Sequence, residues 1–147
     1  MKSLFICKVR YEKTMENGMN KKVTEPYIVD ALSFTEAEAR IIEEMKPFIT
    51  GEFTVSDISR AHISELVPSP DGNDDRWYKC KVMFVTLDEK SGAEKRTATY
   101  MYVQAATSDI AMKRLHEQMK ETMADYVLVS VSETPIMDVF LYVPSNE

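Results

Sequence analysis

The strongest constraint on how this chain can fold is that its second half repeats its first. Residues 4–11, Leu-Phe-Ile-Cys-Lys-Val-Arg-Tyr, return as residues 77–84, Trp-Tyr-Lys-Cys-Lys-Val-Met-Phe, at an offset of 73. The offset then becomes 74, matching Gly18 with Gly92, Lys21 with Lys95, Val29 with Val103 and Ala31 with Ala105. Ala37, Arg40, Glu43, Met45 and Lys46 likewise meet Ala111, Arg114, Glu117, Met119 and Lys120, and at 73 again Ser59 meets Ser132 and Ile63 meets Ile136. That gives 14 identities over 64 aligned positions, where background frequencies give roughly 4. Both changes of offset fall at predicted turns, the places where insertions are tolerated. The expectation is a tandem duplication.

Each half reads β-β-α-β. Phe5, Cys7, Val9 and Tyr11 alternate with Leu4, Ile6, Lys8 and Arg10, and Tyr78, Cys80, Val82 and Phe84 alternate with Trp77, Lys79, Lys81 and Met83. A period of two predicts strands with one apolar face. Asn17-Gly18 and Ser91-Gly92 supply the positive-φ positions of hairpin turns. Second strands follow at about 22–32 and 96–106, rich in β-branched and aromatic residues. Ser33-Phe34-Thr35-Glu36 has the spacing of a capping box. Beyond it, Ala37, Ile41 and Met45 form a helical stripe repeated by Ala111, Leu115 and Met119. Pro47 stops the first helix. Final strands are expected near 53–67 and 126–142, interrupted by a bulge or bend at Ser56-Asp57 and Ser132-Glu133.

Pro68-Ser69-Pro70-Asp71-Gly72-Asn73-Asp74-Asp75 contains only turn-forming and polar residues. It reads as a linker, residues 68–75, between a first repeat at 1–67 and a second at 76–147. Units of about 65 residues are marginal alone, so the halves are expected to share a core about a pseudo-twofold axis. The fold class is α+β. Because β2-α-β3 is a crossover, the second and third strands should run parallel, with the first between them and antiparallel to both. Two three-stranded units or one six-stranded sheet would satisfy this, with both helices packed on the apolar face.

Cys7-Lys8-Val9-Arg10-Tyr11-Glu12-Lys13, Val29 through Arg40 (Val-Asp-Ala-Leu-Ser-Phe-Thr-Glu-Ala-Glu-Ala-Arg) and Phe53-Thr54-Val55 resemble the family called domain of unknown function 4494. So do Trp77-Tyr78-Lys79-Cys80-Lys81 and Ser130-Val131-Ser132-Glu133-Thr134. The resemblance covers about residues 4–142. It implies a setting in Bacteroidota and their associated phages or mobile elements, and an intracellular location. It transfers no catalytic residue.

Composition narrows the chemistry. The chain of 147 residues has net charge −6, and 9 basic and 12 acidic residues fall on each side of the Asn73–Asp74 bond. That balance disfavours tight, sequence-independent binding to a phosphate backbone. Four apolar residues between Lys2 and Lys8 fall short of the ~7–15 of a secretion signal, so a cytoplasmic protein is expected. Two cysteines without a Cys-x-x-Cys pair argue against a disulfide framework or a zinc site. Cys7 and Cys80 sit on apolar strand faces, as small buried hydrophobes do. His62 aligns with Pro135 and His116 with Ile42, so no repeated metal site emerges. Glu36, Glu38, Glu43 and Glu44 suit a helix N-terminus and a solvated face rather than an acid–base pair. The isolated glycines form no phosphate-binding loop.

One feature points to binding. Lys8, Arg10, Lys79 and Lys81 occupy the outward faces of the first strands, with Trp77 and Tyr102 nearby. Cations and aromatics on one sheet face hold nucleotides or single-stranded nucleic acid by phosphate contacts and stacking. The expected function is a non-enzymatic binding or adaptor protein without a cofactor, self-associating and with no membrane partner. Lys8, Arg10, Lys81 and Trp77 would hold a small anionic ligand, such as a nucleotide, or a host protein in a cleft between the repeats. A single-stranded nucleic-acid accessory protein is the alternative, and an enzyme of unrecognised type the third reading.

Overall fold

A computed structural model describes residues 2–142. Among these residues the fold is α+β, with two α-helices and two four-stranded mixed sheets. The strands are β1 (Ser3–Thr14), β2 (Asn20–Ala31), β3 (Phe53–Arg60), β4 (Glu65–Val67), β5 (Arg76–Leu87), β6 (Glu94–Ala105), β7 (Asp125–Glu133) and β8 (Asp138–Phe140). Helix α1 spans Phe34–Met45 and helix α2 spans Ser108–Gln118. Neither helix is long and apolar enough to cross a membrane.

The first sheet has the order β3-β1-β2-β8, with β1 antiparallel to both of its neighbours. The hairpin turn holds Gly18 at φ 81°, and Gly92 takes φ 71° between β5 and β6, where a Cβ would be strained. Phe5, Cys7 and Val9 of β1 and Val29 of β2 are fully buried against Ala37, Ile41 and Met45 of α1. Ser33 caps that helix by accepting from the Glu36 N–H at 3.1 Å, while Glu36 Oε2 accepts from the Leu32 N–H at 3.0 Å. The second sheet has the order β4-β6-β5-β7, and Cys80, Val82 and Val103 pack on Ala111 and Leu115 of α2. Thr107 caps this helix through the Ile110 N–H.

Several expectations need correcting. The final strands do not run unbroken to residues 67 and 142: β3 ends at Arg60 and β7 at Glu133. The short strands beyond them leave the sheet of the preceding strand. β4 pairs parallel to β6, and β8 pairs parallel to β2. Residues 2–61 therefore join residues 135–142 in one compact unit, and His62–Thr134 form the other. Periodicity identifies these segments as strands but cannot name the sheet they join, which is why three strands per unit become four.

The bulge in β3 lies at the expected place, Ser56, where Lys8 faces Asp57 and Val9 faces Val55. Its counterpart in β7 is Val129, three residues before Ser132, with Lys81 facing Ser130 and Val82 facing Leu128. The apolar run Val127-Leu128-Val129 hides that slip of phase in the sequence. Each unit closes a core of its own between sheet and helix.

Segment 68–75 is not a free linker. Asp74 is 5% exposed. Its Oδ1 accepts from the Ala106 N–H at 2.9 Å, and its Oδ2 accepts from Ser69 Oγ at 2.5 Å and pairs with Arg114 Nη1 at 2.5 Å. The first unit explains why. There Arg40 pairs with Asp30 at 3.1 Å and Glu36 holds the Leu32 N–H. At offset 74 those two acids become Gln104 and Ile110. One aspartate from the connecting segment supplies both missing acceptors.

Candidate functional site

Alternation along β1 sends Phe5, Cys7 and Val9 toward α1, leaving Lys8 and Arg10 on the opposite face. Both cations are exposed. Lys8 stands opposite Pro26 of β2 and Asp57 of β3, and Arg10 opposite Thr24 and Thr54. Among the described residues, no hydrogen bond or ion pair engages the side chain of Lys8, Arg10 or Lys81. Arg40 is the contrast: held to Asp30, to Glu44 at 3.7 Å and to the Phe140 carbonyl at 3.3 Å, it is committed to the fold.

Arg10 opens onto a groove of about 690 Å³ in the first unit. Lys22, Glu12 and Glu52 add charge to its walls, Thr14, Thr50 and Thr54 add hydroxyls, and Tyr11 and Phe53 add rings. The Tyr11 hydroxyl donates to Glu25 Oε1 at 2.5 Å, and Lys13 Nζ lies 3.9 Å from Glu25 Oε2. Burial, then the hydrogen bond and charge of Glu25, push the Tyr11 hydroxyl well above the ordinary phenol range. Tyr11 is thus a fixed wall rather than a proton donor at neutral pH. Burial raises Tyr27 to about 12, helped by the charges of Glu25 and Asp138. A second groove of about 450 Å³ runs between the start of α1 and β3, lined by Phe34, Thr35, Glu38, Val55 and Asp57 among others.

In the second unit, Lys81 is partly exposed opposite Tyr100 and Ser130. The ammonium of Lys79 lies over the Tyr100 ring, 4.6 Å from its centroid. Trp77 is placed differently from the three cations expected to act with it. It is 3% exposed, and its carbonyl accepts from both the N–H and the hydroxyl of Thr134. A side chain so buried offers no ring face to a ligand. Tyr102 is 8% exposed and cannot replace it.

The two cysteines are free and buried. Burial, with the Asp57 charge adding to it, lifts the Cys7 thiol to about 12, and burial lifts Cys80 to about 11. Neither supplies a thiolate nucleophile near neutral pH. His116 Nδ1 lies 2.8 Å from the Tyr126 hydroxyl, which ties that ring to β7. Among the described residues, no group of three or more His, Cys, Asp or Glu is placed to hold a metal ion.

Sequence reading found Arg10 but not the groove around it. Thr50, Gly51 and Glu52 lie in a connection with no periodic signal, and only the path of the chain into β3 brings them beside the hairpin. Lys22 did carry a signal, since Arg96 repeats a cation at offset 74.

A family model described as Domain of unknown function (DUF4494) matches residues 3–142. The chain belongs to that family. No curated protein matches it. The DUF4494 match takes in both compact units together with Lys8, Arg10, Trp77 and Lys81, so the cationic faces lie within the family's span.

Proposed function

We propose that this DUF4494 chain is a non-enzymatic binding or adaptor protein of a phage or mobile element, acting in the cytoplasm. Its Lys8 and Arg10 face takes a small anionic, nucleotide-like ligand. The observation that carries this reading is a pair of exposed cations without ion-pair partners among the described residues, one of which opens onto a groove of about 690 Å³. Unpaired guanidinium and ammonium groups beside hydroxyls suit phosphate or carboxylate. The acids Glu12 and Glu52 on the same walls favour a compact ligand with donors of its own over a polyanionic strand. Burial of Trp77 removes the stacking platform on which a single-stranded nucleic-acid reading rested.

The same reading takes the two units as products of a tandem duplication, supported by contacts that recur at the repeat offsets. The Ala61 N–H donates to the Leu4 carbonyl as that of Thr134 does to Trp77, and Met137 N–H to Pro26 as Ser64 to Tyr100. Tyr142 N–H reaches Asp30 Oδ1 as Ser69 N–H reaches Gln104 Oε1. Duplication gives Lys8 a partner, Lys81, at the same place in the second sheet.

The test is a thermal-shift screen of the full chain against nucleotides and small dicarboxylates, repeated on Lys8→Ala/Arg10→Ala. A ligand present at 100 times its Kd stabilises by ~2.7 kcal/mol, and the double variant should lose that shift while keeping its own melting temperature. An unchanged shift in the variant refutes the site. Affinity for oligonucleotides falling steeply with salt would support the nucleic-acid reading instead. Absence of both, with retention of a host protein in pull-down, would leave the adaptor role.

A further inference from the structure

We propose that the outer edge of β6, residues 95–99, pairs with the same edge of a second copy of this chain to form a two-fold dimer. A strand edge exposes unpaired N–H and C=O groups, and proteins blunt such edges with bulges, prolines, charge or short strands. The edge strands β3 and β7 both carry bulges, and β4 and β8 are three residues long. The uncovered stretch of β2 contains Pro26, whose carbonyl accepts from Met137; its nitrogen, which has no hydrogen to donate, therefore faces outward too. β6 is different. β4 covers only Met101–Val103, no proline or bulge interrupts 94–100, and Glu94 through Ala98 are exposed.

The direction of the free groups follows from one hydrogen bond. The Tyr100 carbonyl accepts from the Ser64 N–H at 2.8 Å on the side away from β5. Strand alternation then turns the N–H and C=O of Ala98, Arg96 and Glu94 outward as well. An antiparallel partner centred on Thr97 sets Arg96 against Ala98 and Lys95 against Thr99, and the pairing stops short of Tyr100, whose outward carbonyl is taken by Ser64. Arg96 and Ala98 then exchange four hydrogen bonds across the axis, and no like charges stand directly opposite. The window fits too, since it is bounded by Gly92 of the turn at one end and by β4 at the other. Because the same residues of both copies meet about the two-fold axis, the contact closes as a pair rather than propagating.

The dimer does not depend on the ligand reading, because Arg10 and its groove belong to the other unit. The experiment uses the full chain. Sedimentation velocity from 1 to 500 μM should show a concentration-dependent dimer. Ala98→Pro removes an outward N–H that β5 does not use, and should weaken the dimer about tenfold or more with an unchanged circular dichroism spectrum. Thr97→Cys places two thiols at a non-hydrogen-bonded pair, where Cα atoms stand ~4.5 Å apart, within disulfide range. Oxidation should give a covalent dimer, whereas Thr99→Cys, facing Lys95, should not. A wild-type monomer at 500 μM overturns the proposal, as does a dimer in which Thr97→Cys fails to cross-link. If Ala98→Pro unfolds, the cysteine pair decides.

Discussion

Leu115→Ala offers a quantitative test of the second core. Leu115 is fully buried on α2 and belongs to the cluster that includes Cys80, Val82, Val103 and Met119. The substitution removes three side-chain carbons, worth ~2.4 kcal/mol at ~0.8 kcal/mol each. If a void of ~50 Å³ stays unfilled, it adds ~1 kcal/mol at ~24 cal/mol per Å³. The expected loss is then about 3.5 kcal/mol. With a urea m-value of ~1 kcal/mol/M, low in the range for small proteins, the midpoint falls by about 3.5 M. The assay is built in, because Trp77 is the chain's one tryptophan and lies in the same unit, so its fluorescence follows this core. Met112→Ala on the same helix, where Met112 is 44% exposed, should change stability by less than ~0.5 kcal/mol. A loss below about 1 kcal/mol for Leu115→Ala, or equal losses for both variants, would refute the closed core.

The Asp74 carboxyl is held below the usual carboxylate range, first by the hydrogen bond from Ser69 and then by Arg114 and the Ala106 N–H. Its contribution to stability is therefore present above the unfolded pKa of ~3.9 and lost as pH falls through the lower folded value. Urea melts at decreasing pH should show wild-type protein losing stability below about pH 4, while Asp74→Asn starts weaker and declines less; parallel curves would contradict the assignment. With thiols raised to about 12 and 11, Cys7 and Cys80 should resist a disulfide-exchange reagent at pH 8 until denaturant is added. Rapid labelling of folded protein would show one of them to be accessible.

Much of the fold was legible in local chemistry. Alternation in Phe5-Cys7-Val9 and Tyr78-Cys80-Val82, the glycine turns, the Ser33 cap and the stripe Ala37-Ile41-Met45 each report a short-range preference that the structure keeps. The same alternation put Lys8, Arg10 and Lys81 on faces turned away from the helices. It could not show that Trp77 on such a face would be buried, because outward direction is a local property and exposure is not.

The sequence by itself thus determined the type and order of most elements, the residues that turn toward each helix, and the recurrence of this pattern along the chain. The period of a strand and the spacing of a helix are set by the backbone over a few residues. Only tertiary structure decided that β4 and β8 join sheets other than those of the strands before them, that Asp74 supplies acceptors missing at Gln104 and Ile110, and that residues 50–52 wall a groove beside Arg10. These are pairings across tens of residues. They are selected by which free edge, orphan donor or unpaired cation is left over once the local elements have formed.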